Sequence, residues 1–158
     1  MITITTSHHT VTLARRYEAA PERVFACWRD PEALGRWYVP GDASWDSRIL
    51  DHDFRVGGRK RLAFGPRGGA RFTEDCRYED IVENARLCFS MTIANEKARM
   101  TTSMVTVELR PEGAGTELRV TDQLVVLDGS DGPSSARERE AGWIETIGKL
   151  VGELRRPS

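Results

Sequence analysis

Three side chains in this 158-residue chain join a titratable group to a position on an apolar strand face: Asp122, Glu74 and Tyr78. Asp122 alternates with Leu118, Val120 and Leu124. An acid on such a face is either a pocket group with a raised pKa, suited to acid–base work, or a carboxylate near the strand's exit that reaches water or a backbone donor. The closeness of the strand's end favours the second reading. Glu74 and Tyr78 share a parity with Phe72 and Cys76. Tyr78 either offers its phenol as a donor in a hollow or packs its ring and bonds at the rim. Lys60, in phase with Leu62 and Phe64, is a candidate for an anionic ligand group, though snorkelling or a salt bridge is the reading its length favours.

Other chemistries find little support. Asp51-His52-Asp53 is one histidine between two acids, and a strand throws His52 to the face opposite its neighbours, so no metal is expected. Cys27, Cys76 and Cys88 are odd in number and lack a C-x-x-C pair, which reads as three reduced, mostly buried thiols. No Gly-rich phosphate loop or Gly-x-Ser-x-Gly motif occurs, and no cofactor is expected.

Lys and Arg number 23 against 24 Asp and Glu, for a net charge of -1. That balance argues against a nucleic-acid partner. No apolar run is long enough to span a membrane, and residues 1–10 lack a signal-peptide pattern, so a cytoplasmic protein is expected. The length fits a single domain over residues 1–158, with 1–9 read as a flexible polar terminus.

The elements that must position these groups follow from periodicity. Val11 to Tyr17 alternates as a first strand. Pro21-Glu22 opens a short helix with Val24, Phe25 and Trp28 on one face, and Asp30-Pro31 caps and opens a second. From Phe54 to Leu127 the chain reads as strand after strand. Phe54 to Val56 and Arg59 to Phe64 form one strand interrupted by Gly57-Gly58, a bulge or bend. Leu87, Phe89, Met91 and Ile93 share a face, as do Ser103, Val105, Val107 and Leu109. After a loop at residues 128–133, Ser135 with Glu138 reads as a capping box for a last helix. Its Trp143, Ile147, Leu150 and Leu154 lie at offsets of four, three and four, a single stripe. An antiparallel sheet followed by one long helix must bury one face against the other. The expected class is α+β, a curved sheet of six or seven strands with a long helix over its concave face.

This order and several motifs resemble the SRPBCC helix-grip superfamily of START and Bet v 1-like proteins, in the bacterial branch related to the Hsp90 ATPase activator's C-terminal domain. The stretches that carry the resemblance include Ala20-Pro21-Glu22-Arg23-Val24-Phe25, Asp30-Pro31-Glu32 running to Trp37, Asp53-Phe54-Arg55-Val56-Gly57-Gly58, Thr121-Asp122-Gln123 and Gly142-Trp143. Similar bacterial sequences often have Glu at the position of Asp122 and His at the position of Arg139, so this chain departs from any role that His serves.

The resemblance implies a cavity between sheet and helix that takes a hydrophobic or amphipathic small molecule. The expected lining is Trp28, Trp37, Phe54, Phe72, Tyr78 and Phe89, with Met91, Val105, Val120, Asp122, Trp143 and Ile147. Met104 is a weaker candidate by parity. A filled core would use the same residues. An enzyme of polyketide cyclase, dehydratase or hydrolase type on the same scaffold, with Asp122, Tyr78 or Glu74 as acid or base, is the alternative. A chaperone-modulating module is a further one, and a homodimer is possible.

Overall fold

Alternating burial runs through most of the strands, and it gives the sheet one apolar face that helices must cover. In the computed structural model, which describes residues 5–157, the elements are β1 (Ser7–Tyr17), α1 (Pro21–Arg29), α2 (Pro31–Trp37), β2 (Trp45–His52), β3 (Arg59–Pro66), β4 (Phe72–Val82), β5 (Arg86–Ala94), β6 (Arg99–Glu112), β7 (Gly115–Val126) and α3 (Gly132–Leu154). The strands form one antiparallel sheet in the order β1-β7-β6-β5-β4-β3-β2. It is the α+β helix-grip fold. Helices α1 and α2 carry the chain from β1 at one edge to β2 at the other.

The two short helices form for the reasons visible in the sequence. Pro21 opens α1 with Glu22 in its first turn, and Val24, Phe25, Cys27 and Trp28 are buried. Asp30 ends α1 and caps α2, its Oδ1 accepting from the Glu32 N–H at 3.0 Å. Glu153 on α3 ties α2 down, accepting from the Arg36 guanidinium at 2.6 Å. Tyr17 anchors α3 to the sheet by donating to the Ile147 carbonyl at 2.6 Å.

Three boundaries differ from the sequence reading. Ser7, His8 and His9 belong to β1, because they pair with Val126, Val125 and Leu124. Residues 1–4 of the expected flexible terminus lie outside the described residues. Helix α3 starts at Gly132, not after Ser135, because Asp131 is the cap and accepts from the Ser134 N–H at 3.0 Å. Phe54–Val56 is a connection, not a strand. There Gly57 takes φ 84° and Gly58 sits where a Cβ would come within 2.0 Å of the Asp53 carbonyl oxygen. Both glycines pair with the Tyr78 backbone, beside a register shift between Tyr78 and Asp80 in β4. The bend expected at the glycines is thus shared with β4. A further irregularity in β6 passes over Met100, since Ile93 pairs with Thr101 but Ala94 pairs with Arg99.

The concave face divides in two. Toward the C-terminal half of α3, helices α1 and α2 pack into the curve, and Trp28, Trp37, Leu34 and Val24 fill it. Toward the N-terminal half of α3 a hollow is left, and among the described residues none of α1 or α2 lines it.

Candidate functional site

That hollow is a cavity of about 640 Å³. Phe64, Phe72, Met91 and Ile93 form its sheet wall, Met100 and Thr101 its far side, and residues from Ser134 to Thr146 of α3 its roof. The connection after α2, with Tyr38, Pro40 and Gly41, and Trp45 at the start of β2 close the remaining side. The walls are aromatic and ordered. Trp45 stacks on Phe72 with centroids 5.8 Å apart and planes at 4°, Phe72 continues to Phe64 at 5.5 Å, and Tyr38 meets Trp143 edge-on at 6.1 Å. Gly41, at φ 122°, lets the chain pass against Trp45, whose ring a Cβ would overlap. The Lys149 ammonium holds this connection to α3, donating to the carbonyls of Val39, at 2.5 Å, and Gly41. Burial pulls the Lys149 pKa below the lysine norm.

Two charges sit in the floor. The β3–β4 register pairs Lys60 with Cys76 and Leu62 with Glu74, so both Lys60 and Glu74 point into the concave face. Their side chains are 1% and 2% exposed, and Nζ lies 3.4 Å from Oε2. Glu74 also accepts from Tyr38 Oη at 3.3 Å and from Cys76 Sγ at 3.4 Å. Lys60 lies between the Tyr38 and Phe89 rings, 4.2 and 4.5 Å from their centroids. Burial opposes the ammonium, and the surrounding Tyr38, Cys76 and Glu74 act against that, so the Lys60 pKa is raised above the lysine norm. Burial, reinforced by the nearby Glu74 carboxylate, pushes the Tyr38 phenol and the Cys76 thiol above their ordinary values. Glu74 and Tyr38 are the members of this group that border the cavity, and of the two Glu74 is the carboxylic acid.

A second polar group joins α3 to β7. Asp122 is fully buried. Its Oδ2 accepts from Arg139 Nη1 at 2.7 Å and from Trp143 Nε1 at 2.9 Å. Arg139 also donates to Thr101 Oγ1 at 2.5 Å and Ser103 Oγ at 3.4 Å. Asp122 Oδ1 is buried and finds no partner among the described residues. The edge-acid reading of Asp122 is corrected, because β7 runs on to Val126 and α3 covers the position.

The model of one family, Activator of Hsp90 ATPase homolog 1-like protein, matches residues 18–155. The chain belongs to this family. Among solved structures, the Mll3558 protein from Rhizobium loti is 37% identical, with 94% of this chain and 99% of that one covered and a TM-score of 0.82. An uncharacterized protein from Rhizobium leguminosarum is 29% identical over 99% of this chain and 100% of its own, also at a TM-score of 0.82. Protein CV1439 from Chromobacterium violaceum is 26% identical over 94% and 98%, at a TM-score of 0.78. No curated protein matches the chain.

Against this family fold, the expected lining splits. Phe72, Met91 and Trp143 line the cavity, as does Glu74. Trp28 and Trp37 do not. They pack against each other at 4.8 Å in the filled half, and Trp37 Nε1 donates to the Cys27 carbonyl at 2.9 Å. Phe54, Tyr78 and Phe89 form a separate aromatic cluster behind the floor, with Tyr78 5.1 Å from Phe54 and 6.0 Å from Phe89. Val105, Val120 and Ile147 belong to the same packed core, and Asp122 is screened from the cavity by Arg139 and Trp143. The common reason is that α1 and α2 occupy the middle of the curve. Met104 is exposed on the outer face.

Tyr78 does not line the cavity. Its hydroxyl lies 2.9 Å from His52 Nε2, and burial raises its pKa to about 12. His52 turns inward to make this contact. Burial, then the Lys60 charge, lowers its pKa to about 4, so the ring is neutral. Among the described residues, no three His, Cys, Asp or Glu side chains are grouped to hold a metal ion, and no helix is long and apolar enough to cross a membrane.

Several wall residues went unremarked in the sequence. Phe64 and Ile93 carried a usable signal, the parity of Lys60 and Met91. Met100 enters only through the β6 irregularity, and Tyr38 and Trp45 only through the path of the connection after α2.

Proposed function

We propose that this protein binds an apolar or amphipathic small molecule in the cavity between the sheet and α3. The observation that carries the reading is the cavity itself: about 640 Å³, with stacked aromatic side chains on one wall and a mainly apolar inner surface. Sites of this size and composition suit small organic ligands, which gain affinity from buried apolar area and orientation from one or two polar contacts. Native mass spectrometry of freshly purified protein tests it. A co-purified mass that is lost from a cavity-filling Gly142→Leu variant supports the reading. A wild-type protein that neither retains a small molecule nor takes up an apolar probe such as pyrene overturns it.

Glu74 favours a second reading, an acid–base enzyme of cyclase, dehydratase or hydrolase type. Of Asp122, Tyr78 and Glu74, it is the one at the cavity wall. Turnover lost in Glu74→Gln, with binding retained, distinguishes enzyme from carrier. Chaperone modulation rests on the family description alone. We place the protein in the cytoplasm, a reading supported by its composition and its three free thiols.

A further inference from the structure

We infer that the cavity selects a planar aromatic molecule carrying a hydrogen-bond donor, a hydroxyl or a protonated amine, and discriminates against carboxylic acids. The inference rests on the binding reading above and names the ligand's chemistry.

The charges on the wall decide it. The ionisable residues lining the cavity are Glu74, Asp128, Asp131, Glu138, Glu145 and Arg139, five acids and one base. Arg139 gives no free positive charge to a ligand. Its Nη1 is bound to Asp122 at 2.7 Å, its Nη2 is bound to Thr101, and its side chain is 11% exposed. Lys60 lies behind the floor, matched to Glu74 and enclosed by Tyr38 and Phe89. Lys149 is spent on the Val39 and Gly41 carbonyls. Arg137, beside the mouth, is exposed and donates to Ser134 Oγ at 3.1 Å. Asp128, Asp131, Glu138 and Glu145 are exposed at the rim, and the acid buried in the wall is Glu74. A carboxylate entering this space would leave water for a site that holds a buried acid and offers no available cation, which is unfavourable on both counts.

A donor meets the opposite situation. Glu74 is 2% exposed and borders the cavity, and each of its three protein contacts is 3.3 Å or longer. Those lengths leave its oxygens free to accept a shorter, charge-assisted bond from a ligand hydroxyl or ammonium. The parallel faces of Trp45 and Phe72 beside it, 4° apart in plane, suit a flat ring system.

A matched series of pyrene probes tests this at pH 7 by fluorescence titration: 1-pyrenemethanol, its methyl ether, 1-pyrenemethylamine and 1-pyrenecarboxylate. The alcohol and the amine are expected to bind about tenfold tighter than the methyl ether, which lacks the donor. The carboxylate is expected to bind more weakly than the methyl ether. In a Lys60→Met/Glu74→Met double variant, which removes the pair without stranding a buried charge, alcohol and ether should bind alike. Equal binding of all four probes to the wild type overturns the selectivity and leaves the cavity reading intact, as does tightest binding of the carboxylate. Binding of none of them overturns the cavity reading itself. A donor preference that survives in the folded double variant overturns the role of Glu74. The wild-type series stands alone if the double variant does not fold.

Discussion

Arg139 of α3 reaches Asp122 of β7 at 2.7 Å, and Trp143, one turn along the same helix, donates to the same carboxylate oxygen at 2.9 Å. The pair pins the roof of the cavity to its inner wall. It is a buried ion pair with one oxygen unsatisfied, so its two halves depend on each other more than the pair helps the fold. Arg139→Met should destabilise the protein by about 3 kcal/mol by stranding the Asp122 charge. Arg139→Met/Asp122→Leu should recover most of that loss. Urea denaturation of both variants checks this, and a double variant less stable than Arg139→Met would show that the pair is not the source.

The floor pair follows the same logic with a different readout. Lys60→Met leaves Glu74 without its cation in a site sealed by Tyr38 and Phe89. We expect a loss of about 3 kcal/mol, largely restored in Lys60→Met/Glu74→Met. A coupling near zero in this cycle would mean that water already solvates Glu74 in the folded protein.

Gly142 separates occupancy from stability. It lines the cavity on α3, and a Cβ there would meet nothing within 4 Å. Gly142→Ala should therefore stabilise the helix by about 0.5–1 kcal/mol, seen as a higher melting temperature. Gly142→Leu should keep the fold and displace bound molecules by filling the space. Unchanged pyrene binding in Gly142→Leu would place the ligand elsewhere.

His52 makes stability depend on pH. Burial lowers its pKa from 6.5 to about 4, so folding favours the neutral ring. Above pH 6.5 its contribution is fully present. As the pH falls from 6.5 to about 4, the unfolded chain takes up a proton that the folded ring refuses, and stability is lost. We expect this loss to be roughly 2 kcal/mol, discounted for the ring's partial exposure. Denaturation midpoints of wild type and His52→Phe across this range check it. The difference, wild type minus variant, should fall toward the acid end if His52 is responsible, and stay constant if it is not.

Strand alternation was legible wherever the pleat is regular. It placed Glu74, Cys76 and Tyr78 on one face, and Phe89 and Met91 on another, and all five are buried. It did not extend to Met100, where the ladder passes over a residue and one extra residue turns the next side chain to the other face. Helix starts were legible when the cap was Asp30 and misread at α3, where Asp131 and Ser135 both offered a capping side chain.

Local periodicity in the chain specifies the fold class, the stripe of Trp143, Ile147 and Leu150 on α3, and which face of each regular strand is apolar, because each residue's neighbours enforce it. Where the hollow lies and what faces it depend on long-range packing. The same aromatic and aliphatic types build a filled core around Trp28 and Trp37 and a cavity around Trp45 and Phe72. The difference is how far α1 and α2 reach across the sheet. That reach is set by packing between residues distant in the chain, such as Arg36 with Glu153 and Tyr17 with Ile147.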